Sequence, residues 1–233
     1  MGNMQATAKD SKLQSPHLED LGVHIKEVQP TVGVKTKVVV HLGNVGDRSP
    51  DEVPLEKTLR YSERFKDVYF IGIDLKPAPA GSRLPANVRQ IRTDFLTGLR
   101  MLSDGSVDII SSEMGLGYYD GLGREYEPTT DGKMSWQGSK MTLIEFQAHN
   151  QGVLDYTKEV LVVSYDKLKV GGKINIAVDG SAFNMVKAAL DESRFESEKV
   201  EVRKFTDADN KRTLWTRQFA ALGRTVYQIS ARK

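Results

Sequence analysis

The chain has 233 residues, 39% of them hydrophobic and 27% charged, with a formal net charge of +2 at pH 7. That length suits one large domain able to bury its own core, and so small a charge does not by itself argue for a nucleic-acid partner. There is no cysteine, which excludes disulfides, thiolate catalysis and Cys-ligated zinc or iron–sulfur centres.

Residues 1–36 are polar and mixed in charge, without the apolar core of a signal peptide, and read as a flexible arm or a loosely docked first helix. No apolar run along the chain approaches a membrane span. A cytoplasmic location with no membrane partner is therefore expected.

From Lys37 the sequence alternates short β-branched apolar runs with amphipathic stretches. Lys37–Leu42 (KVVVHL) predicts a first strand, which runs into the turn His41-Leu42-Gly43-Asn44-Val45-Gly46-Asp47. A glycine just past a buried strand lets the backbone turn sharply and approach a ligand closely. Two glycines fit a plain tight turn equally well. A helix is expected over Leu55–Phe65, after the separating run Ser49–Pro54.

The second strand, Val68–Asp74 (VYFIGID), ends on an acid followed by Leu75. A carboxylate at that tip is suited to accept both hydroxyls of a vicinal diol; the plainer alternative is a helix cap or a solvated turn aspartate. Val88–Thr93 predicts a third strand leading to Asp94 and Phe95. Asp94 either accepts from an adenine amine, with Phe95 as the ring's apolar neighbour, or caps a short helix begun by Leu96 and Leu99. A fourth strand, Val107–Ser111, leads to Glu113, so three acids gather at one edge. Buried acids call for a ligand or a partner.

The stretch from about 115 to 139 is the one long irregular insertion and carries Tyr118, Tyr119, Tyr126 and Trp136. Such loops are commonly functional or mobile. A lid is expected there, with Tyr118 or Tyr119 lining an acceptor pocket and Glu113 as base; equally, the aromatics only pack the loop. A long helix over Leu143–Leu168 follows, then a Gly171-Gly172 turn, a fifth strand at Lys173–Val178 and a helix over Ala182–Glu192. Lys199–Phe205 and Thr225–Ala231 alternate polar and apolar residues, as antiparallel strands do. The region from Glu201 is basic, and either faces phosphates or forms a solvated sheet edge.

Continuously apolar runs such as VVV, VYFIGI and VDII mark strands covered on both faces. The class predicted is α/β, a Rossmann-like doubly wound sheet, mostly parallel, closed by a C-terminal antiparallel hairpin. Residues 1–36 form the arm and 37–233 the domain.

These pieces in this order resemble the class I S-adenosylmethionine-dependent methyltransferases, from about Lys37 to the C-terminus. The Gly43–Gly46 turn is similar to that family's first motif. The resemblance implies that His41, Gly43, Asn44, Gly46, Asp74, Leu75, Asp94 and Phe95 meet S-adenosylmethionine. It also implies that Lys167–Lys173 is the turn before strand five and that an antiparallel strand is inserted beside that strand. The chain departs from the family at His41, where an acid is usual, at Val45, where a glycine is, and in the extra residues Arg48–Val53. The expected activity is methyl transfer to a small molecule or an RNA. Two other classes share some of these features: a non-catalytic binding protein on the same fold, and an NAD-dependent oxidoreductase. The latter is disfavoured by the double glycine and the terminal hairpin.

Overall fold

The apolar runs become the strands of one seven-stranded sheet. In a computed structural model, the described residues are 37–43, 56–75, 83–113, 115–117, 127–128, 134–136, 139–140, 143–206, 221 and 223–233. All of them lie in the unit Gly33–Lys233. The strands of the main sheet are β1 (Lys37–Leu42), β2 (Val68–Asp74), β3 (Val88–Arg92), β4 (Val107–Glu113), β8 (Leu168–Asp179), β9 (Val200–Lys204) and β10 (Val226–Arg232). Their spatial order is β3-β2-β1-β4-β8-β10-β9. β1 to β4 and β8 are mutually parallel, whereas β10 runs antiparallel to both its neighbours, β8 and β9. The chain moves outward from β1 to β3 and then returns to the other side of β1. That reversal is the switch point outside which open α/β sheets bind ligands.

Successive residues of each strand point to opposite faces. One face presents Val40, Leu42, Ile71, Ile73, Ile110, Ile174, Ile176 and Ile229, all almost fully buried. Three helices cover it: α2 (Phe95–Arg100), α3 (Leu143–Lys167) and α4 (Gly180–Asp191). The Cβ that Gly98 of α2 lacks would lie 2.4 Å from Ile73 Cγ2, and Phe183 of α4 packs on Tyr227 with ring centroids 4.4 Å apart. The opposite face carries α1 (Glu56–Arg64) over β1 to β3, around Val39, Phe70 and Val88.

The helices match the predicted spans to within a few residues, and α2 adds the short helix that Leu96 and Leu99 suggested. Two elements differ from expectation. β8 begins at Leu168 and contains the double glycine, with a register shift against β4 between Val107 and Ile109. Gly171 sits at φ 78, and a Cβ on Gly172 would lie 2.9 Å from the Lys169 carbonyl oxygen. Backbone hydrogen bonds to Lys233 hold this bulge, from Gly171 N to Lys233 O (3.2 Å) and from Lys233 N to Gly172 O (3.0 Å). The insertion, expected to be irregular, contains a separate antiparallel sheet of β5 (Glu127–Pro128), β6 (Met134–Trp136) and β7 (Ser139–Lys140). Residues 207–220, between β9 and β10, lie outside the described residues.

Candidate functional site

The carboxyl ends of β1, β2 and β4 and the start of α2 converge on one edge of the sheet. Gly43 adopts φ 64, and its N–H donates to the Ile73 carbonyl at 3.0 Å, tying the end of β1 to that of β2. An L-residue is strained at such a φ. A Cβ on Gly43 would also lie 3.0 Å from Phe95 Cζ and 3.6 Å from Gly115 Cα. A Cβ on Gly115 would lie 2.8 Å from Ser112 Oγ and 3.2 Å from the same Phe95 atom. The Phe95 ring thus fills the space that two glycines leave, and the close approach at Gly43 is to this side chain. Ser112 Oγ also accepts from Leu116 N at 3.2 Å, closing the turn after β4.

Asp74 ends β2 with its side chain buried (7% exposed), while Leu75 beside it is 51% exposed. Leu75's carbonyl accepts from Arg92 Nε at 3.2 Å. A buried carboxylate next to an exposed apolar side chain is chemically matched to a ligand with hydroxyls on one side and an aromatic face on the other.

Asp94 caps α2. Its Oδ1 accepts from Thr97 N at 3.0 Å, and its Oδ2 accepts from Thr93 Oγ1 at 3.3 Å. Tyr156 of α3, which the sequence does not single out, joins the same cluster. Its hydroxyl accepts from Phe95 N (3.1 Å) and donates to Asp94 Oδ1 (3.4 Å). In sequence Tyr156 is one more aromatic on a long helix, and only packing of α3 beside α2 gives its hydroxyl a partner. Burial, and then the nearby Asp94 charge, pushes the Tyr156 hydroxyl well above the usual tyrosine range.

An acid whose folded pKa lies above its unfolded value near 10 stabilises the fold fully below that pH. The contribution is lost as pH rises further, because the unfolded state releases its proton first. Tyr156→Phe is expected to cost about 1 kcal/mol at neutral pH through the lost hydrogen bonds. Urea unfolding followed from pH 8 to 11 should show a shallower alkaline loss in the variant; parallel curves would remove Tyr156 from this role.

His41 is 5% exposed and shares a 2.8 Å hydrogen bond between its Nδ1 and Thr58 Oγ1. Tyr61 meets the imidazole edge-on at 6.1 Å and Phe70 lies at 5.8 Å. The residue standing where the resembled family has an acid therefore bridges β1 to α1.

Glu113 ends β4 half-buried and lines a groove of about 610 Å³ together with His41, Ser111 and Asn175. Asn44, Gly46, Tyr118 and Tyr119 lie outside the described residues. Among the described residues no group of three or more His, Asp or Glu side chains could hold a metal ion, and no helix is long and apolar enough to cross a membrane.

No family model matches the sequence, and no curated protein matches it. Solved structures do. An antibiotic-related methyltransferase superimposes with a TM-score of 0.49 at 17% identity, over 84% of this chain and 88% of that one. A SAM-dependent methyltransferase from Archaeoglobus fulgidus gives 0.49 at 14% identity, over 85% and 87%. A geranyl diphosphate methyltransferase in complex with SAM gives 0.49 at 13% identity, over 84% and 77%. The strand order itself identifies the architecture. With reversed β10 inserted between β8 and β9 and the acid-tipped β2 beside β1, the chain has the Rossmann-like fold that its resemblance to the class I S-adenosylmethionine-dependent methyltransferases predicts.

Proposed function

We propose that the protein transfers a methyl group from S-adenosylmethionine to a small molecule or an RNA. The observation that carries this reading is the buried Asp74 carboxylate at the switch-point edge, next to exposed Leu75 and one residue beyond the Ile73 carbonyl that anchors Gly43. Asp74 would accept the two ribose hydroxyls, and Leu75 would cover one face of the adenine. Asp94 and Tyr156 act on this edge by fixing the Phe95 backbone, and Phe95 sets the separation of the β1 and β4 turns.

When bound, the cofactor supplies an electrophilic methyl group on a sulfonium. The chain's own task is to align the acceptor with it and, for a protonated nucleophile, to remove a proton. Glu113 is the base we assign, because it stands at the end of β4 where that strand meets the groove. Tyr118 and Tyr119, in the insertion after β4, are proposed to line the acceptor pocket. His41→Asp, which returns the family's usual acid to this position, replaces the imidazole that meets Thr58 with a shorter carboxylate and should lower the melting temperature by loosening α1.

Calorimetric titration with S-adenosylhomocysteine and with NAD tests the reading. Binding of the first alone is the expected result. Binding of NAD alone would move the protein to the oxidoreductases. Binding of neither would favour a non-catalytic partner, a reading that the bridging role of His41 and the capping role of Asp94 also suit. Replacing both Tyr118 and Tyr119 by Ala should abolish turnover and leave S-adenosylhomocysteine affinity intact; normal turnover in that variant would take both residues out of the acceptor pocket.

A further inference from the structure

The face of the sheet under α1 continues beyond that helix, over β4, β8, β10 and β9, with a polarity of which the proposed methyl transfer uses Glu113 alone. In the strand register His41 pairs with Ser111, Ser111 with Asn175, Asn175 with Ser230, and Ser230 with Glu201. A single line of polar residues thus crosses adjacent strands on one face, and Ser230 Oγ donates to Asn175 Oδ1 at 2.9 Å. The neighbouring line on that face is Glu113, Ala177, Gln228 and Arg203, with Arg203 donating to Gln228 Oε1 at 2.9 Å.

One residue out of phase, on the face covered by α2 to α4, the line reads Leu42, Ser112, Ile176, Ile229 and Val202. A strand face packed under a helix selects apolar side chains. Polar lines on the other face mark a surface suited to water or to a polar partner.

That surface is a groove, and its two walls are built alike. On the α1 side Tyr61 and Phe65 stack at 6.1 Å with an interplanar angle of 16°, 44% and 38% exposed, and Arg64 lies 5.4 Å over the Phe65 ring. On the far side Phe205 lies under Arg203, also at 5.4 Å. Lys37 and Arg64 line the groove, and the register puts Lys173, Arg203 and Arg232 on the same face. The acids that the register puts on this face of β4, β8, β10 and β9 among the described residues are Glu113, Glu201 and Asp179, the last buried and paired with Arg224 at 2.9 Å.

We infer that this groove binds single-stranded nucleic acid. Bases stack on the two arginine–aromatic walls, the cations meet phosphates, and the line through Ser111, Asn175 and Gln228 hydrogen-bonds base edges. Strands spaced about 4.8 Å apart make the face from β1 to β9 roughly 19 Å wide, enough for about five bases stacked at 3.4 Å. That width, with a wall at each end, fits a strand better than a single nucleotide. The groove reaches Glu113, so a bound strand would lead to the carboxyl edge of the sheet.

Fluorescence anisotropy of a short labelled single-stranded RNA, titrated with the full chain at several salt concentrations, tests the inference. The expected result is binding that weakens with salt, with a slope of about −0.7 for each phosphate neutralised. The double variant Arg64→Glu/Arg203→Glu should bind at least about tenfold more weakly, and Phe65→Ala several-fold more weakly. All three side chains are exposed, so the melting temperatures of these variants should match that of the parent. No binding by the parent, an unchanged affinity in the double variant, or equal affinity for the corresponding duplex would each overturn it. S-adenosylhomocysteine titration separates this inference from the proposed function. Cofactor binding should survive both variants, and a parent that binds RNA without the cofactor leaves the groove standing and removes the methyl transfer.

Discussion

Asp74→Asn should weaken S-adenosylhomocysteine binding by about 10- to 100-fold, the equivalent of one lost charge-assisted hydrogen bond. The amide keeps the size of the carboxylate, so the 7% exposed site at the tip of β2 is not reshaped. What changes is the hydrogen-bonding chemistry. A carboxylate accepts from both hydroxyls of a vicinal diol, whereas the amide offers one acceptor and turns a donor toward the other hydroxyl. Calorimetry on the parent and the variant checks this, with thermal melts confirming that both remain folded. An unchanged affinity would disconnect Asp74 from the ligand and with it the observation on which the proposed function rests.

Gly98→Val should lower the melting temperature by about 2 to 10 °C, and Gly98→Ala should lower it less but in the same direction. In an exposed helix, replacing glycine by alanine stabilises by about 1 kcal/mol through propensity. At Gly98 the added Cβ would stand 2.4 Å from Ile73 Cγ2, 3.0 Å from its Cδ1 and 3.2 Å from its Cγ1. The nearest atom is a branch on a β-branched side chain with little freedom to turn away, so the overpacking cost of about 1–3 kcal/mol outweighs the propensity gain. In an Ile73→Ala background the clash disappears, and Gly98→Ala should become neutral or stabilising. If alanine at 98 stabilises the parent, the close contact of α2 with β2 is wrong. Because Asp94 and Phe95 open α2, a displaced helix should also disturb the edge that Asp74 and Gly43 share.

The places of the strands were legible because a buried parallel strand needs an unbroken apolar run, and VVVHL, VYFIGI and VDII are visible without any partner. The terminal hairpin was legible for the converse reason: KVEVRKF alternates, as an exposed edge strand does, and β9 is exposed over most of its length. The position of Asp74 followed from the end of such a run. Asp94 was not decidable in the same way, since a residue type that caps helices is also one that accepts from an adenine amine. Only the 3.0 Å bond from Thr97 N shows that it caps α2.

The site-forming contacts depend on separations along the chain that no local pattern encodes. Phe95 meets Gly43 and Gly115 because α2 starts where β1 and β4 end. Tyr156 reaches Asp94 across 62 residues of chain. The line His41, Ser111, Asn175, Ser230 is four separate residues until strand register sets them side by side. The sequence by itself therefore determined the α/β class, the strands and the acid at the tip of β2, since periodicity and run length are local properties. The tertiary structure decided which side chains share an edge or a face, because register and helix docking are set by packing between segments far apart in the chain.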